Sequence, residues 1–566
     1  STVSQTTWNR VATTSTPGGG SGGGVSSYET LSGQLNYQNG VQGAGYSNTC
    51  GAASGTTCRQ VPDVSADADP ATGYLVAYQG YFVIVGGTSG AAPLWGAIAA
   101  LADASHSCAA NGPIGLADPA LYQNPSALTD ITTGDNDVTA SGYVGGLYAA
   151  GAGYDMATGL GTPKAPQLVE ALCAAKPSSA GSTYNPVGPV RVLDTRSAIG
   201  VPTTTPLGSG GTVSLSVTNA NGVPATGVTA VVLNVTATAP SDSSFLTVYP
   251  DGEALPTASN VNFTAGETIP NLVTVPVGAD GKVDIHNHFG TVHVVADLFG
   301  YYSSGSGSLY DPVAPARLLD TRNGTGTGGT TTPLGTSSET LTLPVTGVGN
   351  VPASGVTAVV LNVTATAPSA ASFLTVYPDT DTSVPVASNV NFTAGETIPN
   401  QVIVPVGTDG KVDIHNHFGT VHVVADVSGY FTGSGTGYKF HASGPQRLVD
   451  TRNGQGVAAG QPAPIGPAGV LALPLTDTVG AGNTGPLASA AGLVLNVTAT
   501  APTDSSFLTV YPSGVAQPTA SNLNWVPGET IPNAVITPVT GNSIDFYNHT
   551  GTVQVVVDLF GYYATS

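Results

Sequence analysis

Leu233-Asn-Val-Thr-Ala-Thr-Ala-Pro240 occurs three times in this chain, because the same residues start again at Leu361 and at Leu495. Other motifs recur in step with it. Each copy also contains Gly-Glu-Thr-Ile-Pro-Asn, and each ends on an Asp that precedes Gly-Tyr-aromatic. An Arg-x-x-Asp-Thr-Arg motif opens each copy, at Arg191–Arg196, Arg317–Arg322 and Arg447–Arg452. The chain therefore contains an internal triplicate.

Each copy has the pattern of an antiparallel β domain. In the first copy, Gly, Pro and Asp separate alternating apolar runs about every ten residues, which favours a sandwich or a barrel. These runs are Ala230–Ala239, Phe245–Tyr249, Leu272–Val277 and Val292–Leu298. A copy is too long for one solenoid repeat, so we expect each to have its own core. The predicted all-β repeat domains are residues 184–303, 309–432 and 438–566.

The segments between the copies are short and rich in Gly and Ser. They lie at Ser303–Ser308 and Thr432–Gly437. Such linkers predict modules that are tethered to one another with limited freedom. The copies resemble the β repeats of secreted actinobacterial proteins.

The whole chain is acidic and poor in charge. Its 566 residues are enough for about three to five domains. The 13 basic residues against 34 acidic ones give a net charge of −21, which argues against nucleic acid and anionic membranes as partners. The same balance suits an extracellular protein that works in acid, where protonated carboxylates repel one another less. No apolar run approaches about 18 residues, so no membrane span is predicted.

A change of composition separates the triplicate from a different N-terminal region. That region has two strand-like runs, Tyr74–Gln79 and Tyr81–Val85, and a helix-like run, Pro93–Ala104. Between them lies Gly87-Thr-Ser-Gly-Ala-Ala-Pro93, which contains Ser89. A serine on a glycine-rich turn at the start of a helix is how an acyl-transfer nucleophile is presented. Ser89 is therefore the candidate catalytic residue, and the alternative is a buried serine at a helix start.

A nucleophilic serine needs a proton acceptor within hydrogen-bond reach. The residues before Ser89 include no His at all. Their acidic residues are Glu29, Asp63, Asp67 and Asp69. The sequence thus shows half of a hydrolase site, with no evident base.

All the cysteines lie in the N-terminal region, at Cys50, Cys58, Cys108 and Cys173. An even count within one domain favours two disulfides, Cys50–Cys58 and Cys108–Cys173, and hence an oxidising compartment. Four reduced core cysteines are the alternative. No C-x-x-C pair or histidine cluster indicates zinc.

Three stretches around Ser89 resemble the sedolisins, the acid-acting relatives of the subtilisin-like peptidases. Trp8 followed by Ser21-Gly-Gly-Gly-Val-Ser26 is similar to that family's Trp…Ser-Gly-Gly-Gly loop, and Arg59–Tyr74 is similar to its segment ahead of the nucleophile. The third stretch is a carboxylate pair downstream of Ser89. The resemblance implies that residues 1–176 are the C-terminal part of a subtilisin-like α/β catalytic domain.

The resemblance also implies a calcium site, because the matching positions of sedolisins bind one calcium ion. Calcium takes about six to eight hard oxygens, often a mixture of carboxylates and carbonyls. Carboxylates would come from Asp130 and Asp155, and backbone carbonyls from Ile131, Gly151 and Gly153. The glycines let the backbone curl around an ion.

Two further features of the sedolisin site find no match here, namely the Glu-x-x-x-Asp base pair and the Asp that stabilises the oxyanion. We therefore interpret Asp63, Asp67 and Asp69 as structural and expect the chain by itself to be inactive. Because it starts at Ser1, the chain is interpreted as a processed or partial product. Either the N-terminal portion of the peptidase is a separate, non-covalently held chain, or the product has lost activity.

Arginine has a restricted place in the chain. Six of its eight arginines belong to the Arg-x-x-Asp-Thr-Arg motifs. One interpretation is an Arg–Asp–Arg cluster that fastens a strand end to a loop and to the Asp before Gly-Tyr-aromatic. The other is recognition of carboxylates or sugars by a planar guanidinium group. We favour the architectural interpretation.

Two other patterns in the triplicate have ordinary explanations. His286 and His288 are two residues apart and should lie on one strand face, as should His415 and His417. In the third copy Tyr547 occupies the position of the first histidine of each pair, so no metal site common to the three copies is predicted. The Asn-x-Thr sequons are interpreted as strand residues rather than glycan sites. They start at Asn234, Asn362 and Asn496.

These observations support two functional hypotheses. The first is a secreted, calcium-stabilised serine-carboxyl endopeptidase that acts on polypeptides in acid, with three β modules for attachment to a cell surface or wall polymer. Ser89 would attack the scissile carbonyl, and a carboxylate base suits acid because a histidine base would be protonated there. The second is a non-catalytic extracellular structural or adhesive protein, able to self-associate, in which the peptidase part is a remnant.

Overall fold

The computed structural model divides the chain into two compact units. The N-terminal unit comprises Ser1–Ser179 with Glu253–Leu255, and the triplicate unit comprises Ala180–Gly252 with Pro256–Ser566. The chain is thus multidomain, and most of its elements are strands. The structure describes residues 5–10, 19–30, 38, 58–103, 117–136, 148–164, 167–169, 172, 181–253, 255–278, 280–335, 339–433, 435, 437–457, 460–475, 487 and 490–565.

In the N-terminal unit the described strands are short. They are β1 Asn9–Arg10, β2 Gly19–Gly20, β3 Gly24–Thr30, β4 Cys58–Val61, β5 Tyr74–Tyr78, β6 Tyr81–Val85, β7 Leu128–Thr129 and β8 Thr162–Pro163. Each odd-numbered strand pairs antiparallel with the next one. Helix α1 spans Thr88–Asp103, helix α2 spans Asp118–Gln123, and a 3₁₀ turn spans Pro125–Ala127.

Buried apolar side chains beside α1 form the core of the N-terminal unit. They come from α1, α2, β7 and the segment before β8. Trp95 of α1 packs partly buried against this core, and its indole Nε1 donates to the Ser65 carbonyl at 3.1 Å. One side of α1 is therefore held, whereas Leu101 on the helix is exposed.

Helix α1 begins earlier than the sequence predicted. The prediction was Pro93–Ala104, whereas the helix starts at Thr88 and contains Pro93. Proline removes one N–H donor from a helix, here the one that would bond the carbonyl of Ser89. The earlier start brings Ser89 into the first turn of α1. Residues 166–175, whose sequence also predicts a helix, lie largely outside the described residues.

The triplicate unit is built from strands alone, eight in each copy among the described residues. The first repeat contains β9 Thr183–Asp194, β10 Thr212–Ser216, β11 Val228–Thr238, β12 Ser244–Pro250, β13 Val261–Phe263, β14 Thr268–Pro276, β15 Lys282–Asn287 and β16 His293–Ser303. The second contains β17 Leu309–Asp320, β18 Thr340–Pro344, β19 Val356–Thr366, β20 Ser372–Pro378, β21 Val390–Phe392, β22 Thr397–Pro405, β23 Lys411–Asn416 and β24 His422–Thr432. The third contains β25 Lys439–Asp450, β26 Gly469–Pro474, β27 Gly492–Thr500, β28 Ser506–Pro512, β29 Leu523–Trp525, β30 Ile531–Pro538, β31 Ser543–Asn548 and β32 Gln554–Ala564.

Each repeat forms two four-stranded antiparallel sheets. In the first repeat their orders are β14-β11-β16-β9 and β10-β15-β12-β13, and the other repeats follow the same order. Register is set by alternation, since Val231, Leu233 and Val235 of β11 lie in one buried cluster with Leu246 and Val248 of β12. The apolar faces of the two sheets therefore pack on each other.

The repeats also pack on one another. Strand β11 is buried on both faces along most of its length, as parallel-sheet strands usually are. The reason is that Ala230 and Val232, on its second face, belong to a cluster that combines side chains of all three repeats. The structure thus differs from the expectation of three modules with separate cores on tethers, because neighbouring copies cover this second face.

Asparagines of the central strands close the three repeats into a ring. The Asn400 Nδ2 donates to Asn234 Oδ1 at 2.7 Å, the Asn533 Nδ2 to Asn362 Oδ1 at 3.0 Å, and the Asn271 Nδ2 to Asn496 Oδ1 at 2.7 Å. Each bond joins one repeat to the next, and the third returns to the first. The three acceptor asparagines begin the sequons and are at most 4% exposed. Their interpretation as strand residues is confirmed.

Aromatic side chains follow the same threefold pattern at the junctions. The close ring pairs are Tyr184 with Phe431, tilted at 4.4 Å between ring centroids, and the stacked pairs Tyr310 with Tyr563 at 4.0 Å and Phe440 with Tyr302 at 4.2 Å. All six rings are buried. The segments expected to be flexible linkers are bonded too, since the Ser308 and Tyr438 amides donate to the Tyr184 and Tyr310 carbonyls, each at 2.7 Å.

Candidate functional site

Ser89 is presented by a turn that accepts only glycine. Strand β6 ends at Val85, and α1 begins three residues later. A Cβ added at Gly86 would meet the Pro70 backbone at 2.6 Å, and Gly87 has φ of +92°, in the region that glycine favours. The Gly87 amide also donates to the Ala68 carbonyl at 2.6 Å. The turn therefore fixes the start of α1, with Ser89 as its second residue and exposed.

No described residue serves Ser89 as a base, since its hydroxyl has no hydrogen-bond partner within the described ranges. Asp67 accepts from the Thr72 hydroxyl at 2.8 Å, and Asp69 accepts from the Ala71 amide at 2.9 Å. Both carboxylates thus shape the turn before β5. This geometry agrees with the interpretation of these aspartates as structural.

Asp63 lies in a polar cluster that the sequence analysis did not foresee. Its carboxylate receives the Arg59 Nη2 at 2.6 Å, the Tyr122 hydroxyl at 2.9 Å and the Gln38 Nε2 at 3.3 Å. Burial, and then the charge of Asp63, raises the pKa of Tyr122. Burial, and then Asp63, also raises the pKa of Asp118. An arginine four residues before an aspartate, in a chain with so few arginines, was the signal for this cluster.

The strand pair that leads to Ser89 exposes large apolar side chains. The type I′ turn at Gln79 and Gly80, both with positive φ, joins β5 and β6 into a hairpin. The most exposed apolar residues there are Tyr81 and Phe82 at 75% each, Leu75 at 67%, Tyr78 at 61% and Ile84 at 59%. An isolated two-stranded sheet is only marginally stable in water, and apolar patches of this kind mark interaction surfaces. We call β5, β6 and the exposed side of α1 the apolar face.

The carboxylates predicted to bind calcium meet in one loop region. Asp130 follows β7, and its Oδ2 accepts the Gly153 amide at 2.8 Å. The Asp155 Oδ2 accepts the Gly151 amide at 3.0 Å. The Ile131 side chain is buried at 6% exposure, which anchors the backbone beside Asp130. The structure thus brings together all five residues that the resemblance named.

The remaining lone pairs of these carboxylates decide whether a cation fits. The Asp155 Oδ1 is occupied, because it accepts the Ala157 amide, the Thr158 amide and the Thr158 hydroxyl at 2.8–3.1 Å. The Asp130 Oδ1 accepts no hydrogen bond from any described residue, and neither aspartate forms an ion pair with a described Lys or Arg. No group of three or more His, Cys, Asp or Glu side chains that could hold a metal occurs in the described ranges. A cation here would therefore depend on backbone carbonyls as well, which suits a hard ion.

Of the four cysteines, Cys58 is described and is fully buried at the start of β4. Cys50, Cys108 and Cys173 lie outside the described residues. The pairings Cys50–Cys58 and Cys108–Cys173 stay predictions.

In the triplicate unit the arginine motif is an architectural cluster, as favoured from the sequence. The Arg317 Nε and Nη2 donate to the two oxygens of Asp426 at 2.9 and 3.0 Å, and its Nη1 donates to Asp320 at 3.3 Å. The Arg322 Nε and Nη2 donate to the two oxygens of Asp320 at 2.9 and 2.8 Å. The hydrogen bond from Arg322 holds the pKa of Asp320 below its usual value. The other two repeats have the same arrangement, with Arg191, Asp194, Arg196 and Asp297 in one and Arg447, Asp450, Arg452 and Asp558 in the other.

The described histidines of the first repeat make hydrogen bonds and ring contacts to neighbouring side chains. The Thr247 hydroxyl lies 3.0 Å from the His288 Nε2, and the His288 ring stacks on Phe245 at 3.8 Å. Burial, and then His286, lowers the pKa of His288 to about 4. His293 lies against the Thr195 hydroxyl at 2.9 Å instead of joining them. These contacts are structural.

Several curated proteins are similar to part of the chain. It is 39% identical over 169 residues to kumamolisin of Bacillus sp. (strain MN-32), covering 30% of this chain and 27% of that protein. It is 38% identical over 112 residues to aorsin of Aspergillus oryzae (strain ATCC 42149 / RIB 40), covering 20% and 16%. It is 30% identical over 158 residues to sedolisin of Pseudomonas sp. (strain 101), covering 28% and 24%. The chain thus spans about a quarter or less of the length of these curated relatives.

A solved structure also matches part of the chain. Pseudomonas sedolisin, a serine-carboxyl proteinase complexed with two molecules of pseudo-iodotyrostatin, covers 31% of this chain and 42% of its own, at 26% identity and a TM-score of 0.23. No family model matches the chain. Among the described residues, no helix combines the length and apolar character needed to cross a membrane.

Proposed function

We propose that the N-terminal unit, which is related to the sedolisin family of peptidases, is the nucleophile-bearing part of a serine-carboxyl endopeptidase. The observation that carries the proposal is the presentation of Ser89, exposed in the first turn of α1 behind a turn that only glycine can form. This is the geometry that an attacking hydroxyl requires. On this proposal, residues 1–176 are the C-terminal part of a subtilisin-like α/β domain.

In the proposed reaction the Ser89 Oγ attacks the scissile carbonyl of a polypeptide. Its proton passes to a Glu that is oriented by an Asp, and both come from the portion of the catalytic domain that precedes these residues. The Ser89 amide lies in the first turn of α1, where helical N–H groups have no partner within the helix, so it can donate to the developing oxyanion. A further Asp from the preceding portion completes the oxyanion site. Carboxylate groups in these roles give activity in acid.

The apolar face supports the idea that another polypeptide segment completes this domain. Strands whose two faces are both apolar are typical of the interior of a sheet covered by helices. Leu75 and Ile84, register partners on one face of the hairpin, are both more than half exposed, and Val76 and Val83, register partners on the other face, are each 40% exposed, so both faces are apolar and exposed. We infer that the N-terminal portion of the peptidase binds here and brings the base to Ser89. The chain without that portion is then inactive.

Calcium is proposed to stabilise the loop region of Asp130, Ile131, Gly151, Gly153 and Asp155. The two carboxylates have no cationic partner among the described residues, and the glycine backbone lies beside them. Carboxylate and carbonyl oxygens together are a donor set that suits this ion. Bound calcium would supply a fixed charge that holds these loops in place. It takes no part in bond making at Ser89 on this proposal.

The triplicate unit is proposed to attach the protein to a cell surface or a wall polymer outside the cell. Its three repeats, each a pair of facing sheets, form a rigid ring with charged clusters at each junction. A rigid unit suits attachment, because a preformed binding surface loses little conformational freedom when it binds. An oxidising, secreted setting agrees with the predicted disulfides.

The second candidate is a structural or adhesive extracellular protein with a peptidase remnant. The observation in its favour is that the described residues contain a nucleophile without a base, beside a large and tightly packed β unit. On this alternative, the apolar face binds another copy of the chain and not the missing part of a catalytic domain.

A proteolysis assay at about pH 4 tests the first proposal. The isolated 566-residue chain should not cleave an unfolded protein substrate, whereas native secreted material that retains the N-terminal portion should. Ser89→Ala should abolish that activity, and Ser126→Ala, at an exposed serine of the same unit, should not. Robust activity of the isolated chain would contradict the need for a second portion. Inactivity of the complete native material would favour the structural alternative.

A further inference from the structure

Three equivalent junctions join the repeats, and two of them are closed by the same hydrogen bond. The Arg317 Nη2 of the second repeat donates to the Thr519 carbonyl of the third at 2.7 Å. The Arg447 Nη2 of the third repeat donates to the Thr257 carbonyl of the first at 3.0 Å. At the junction of the first and second repeats, the Arg191 Nη2 bonds Asp297 at 3.1 Å and makes no such bond to the facing loop.

The difference comes from the length of that loop. Residues 379–388 of the second repeat form a loop one residue longer than its counterparts, residues 251–259 and 513–521. Val386 takes the place of Thr257 and Thr519, and it is 77% exposed. A local turn, in which the Ala387 amide donates to the Pro385 carbonyl at 2.9 Å, draws the backbone back on itself. The longer loop therefore leaves this junction open.

A cleft of about 400 Å³ lies at the open junction. Its lining includes Arg196, Thr236, Phe373, Val386, Asn391 and His417. Such a volume and a mainly apolar wall with a few polar groups are typical of small-molecule sites. None of its lining residues is an Asp or Glu.

One wall of the cleft is a flat ring platform. The Phe373 and His417 rings stack with centroids 3.8 Å apart and planes 25° apart. The Thr375 hydroxyl lies 3.0 Å from the His417 Nε2, which holds the imidazole in place. A fixed platform of this kind can pack against the flat apolar side of a ligand ring.

Among the polar groups on the other walls, Arg196 is available to a ligand. Asp194 occupies the Arg196 Nε and Nη2 at 2.9 and 2.8 Å, which leaves Nη1 of this half-exposed side chain without a protein partner among the described residues. The Thr236 Oγ1 and Asn391 Oδ1 also have no partner, but both atoms are shielded from solvent, as are the hydroxyls of Thr364 and Thr498, the equivalents of Thr236. What distinguishes this junction is therefore the access that the longer loop leaves to Arg196.

We propose that this cleft binds a saccharide residue that carries a carboxylate. The sugar ring lies on the Phe373–His417 platform, and its carboxylate accepts from the guanidinium edge of Arg196. Charge-assisted bonds of this kind are the stronger ones, and the acidic partners Asp194 and Asp297 are buried behind the arginines. The proposal names a ligand for the attachment role of the triplicate unit and rests on that role, not on the peptidase.

Titration of the full chain with glucuronic acid, followed by calorimetry or ligand-observed NMR, tests the proposal. Glucose and sodium acetate serve as the neutral sugar and the ring-free carboxylate. Glucuronic acid should bind about tenfold or more tightly than either. Equal binding of acetate, equal binding of glucose, or no binding of glucuronic acid would overturn it.

Matched variants locate the site. Arg196→Gln should weaken glucuronic acid binding about tenfold, whereas Arg322→Gln, the same change at a closed junction, should leave it unchanged. Replacing residues 379–388 by the sequence of residues 513–521 should close the cleft and abolish binding, and replacing residues 251–259 in the same way should not. Equal losses from both arginine variants would refute the assignment. Sedimentation of the full chain with wall polysaccharide separates the two proposals: attachment that survives closure of the cleft keeps the attachment role and refutes this site.

Discussion

Replacing Asp426 by Asn tests whether the three repeats unfold as one body. The Asp426 side chain is 4% exposed and is held by two bonds from Arg317, which is 22% exposed. Asn keeps the size of the side chain but removes its charge, so one arginine N–H then faces an amide N–H. Arg317 retains its bonds to Asp320 and to the Thr519 carbonyl of the next repeat.

The expected loss follows from the burial of the pair. Removing one partner of a buried ion pair costs about 3–5 kcal/mol. The triplicate unit has about 380 residues, and at about 2.1 cal/mol/K per residue its unfolding entropy is about 0.8 kcal/mol/K. The whole unit should therefore melt about 4–6 °C lower, in one transition, because the Asn400–Asn234 and Asn533–Asn362 bonds and the aromatic pairs join the second repeat to both neighbours.

Scanning calorimetry of the full chain measures this shift. Lys411→Gln, at the exposed Lys411–Asp409 pair of the same repeat, is the matched control and should leave the transition unmoved. If Asp426→Asn instead produced a separate early transition for one third of the unit, the shared core would be refuted. If Asp426→Asn melted at the same temperature as Lys411→Gln, the arginine–aspartate cluster would not contribute to the stability of the unit.

Two further predictions concern a metal ion and titratable groups. Calcium at about 100 times its Kd should stabilise the N-terminal unit by about 2.7 kcal/mol, and Asp130→Asn should remove this response while sparing the loop bonds that Asp155 makes; calorimetry with and without a chelator checks this, and an unchanged wild-type transition contradicts it. Lowering the pH from 7 towards 4 should destabilise the triplicate unit, because burial lowers the pKa of His288 and His417 to about 4, so the unfolded state binds protons before the folded state does. Below about pH 4 the lowered pKa of Asp320 should extend the loss, since the unfolded chain again binds more protons, and Asp320→Asn should flatten this acid limb. Melting temperatures across the pH range test both limbs, and a rise in melting temperature from pH 7 to 4 would be incompatible with the first.

Much of the local structure could be predicted from the sequence. Strands β5 and β6 lie within one residue of their predicted bounds, because two short runs of β-branched, aliphatic and aromatic residues around a Gln-Gly turn are local signals. The architectural role of the arginine motif was also predictable, since arginine is confined to it. The start of α1 was not, because Pro93 reads as a first helical residue when the preceding glycine turn cannot be seen in three dimensions.

The candidate site was predicted as a set of residues but not as a surface. Ser89, Asp130 and Asp155 were found from motifs and a family resemblance. Their exposure, and the apolar face beside Ser89, came from the structure, because an apolar strand has the same sequence pattern whether a neighbour covers it or not. The Asp63 cluster was missed because Gln38 and Tyr122, its partners, are far from it in the chain.

The sequence by itself determined the threefold repeat, the strands within each copy and the serine turn, since each depends on residues that are close together along the chain. Only the tertiary structure decided that the copies share one core, because the second face of β11 and the asparagine at its centre are satisfied by residues of another repeat. It also decided that one junction differs from the other two. A single extra residue in the loop of residues 379–388 is unremarkable in the sequence, and its effect emerges only where that loop meets Arg191 and Arg196 of the neighbouring repeat.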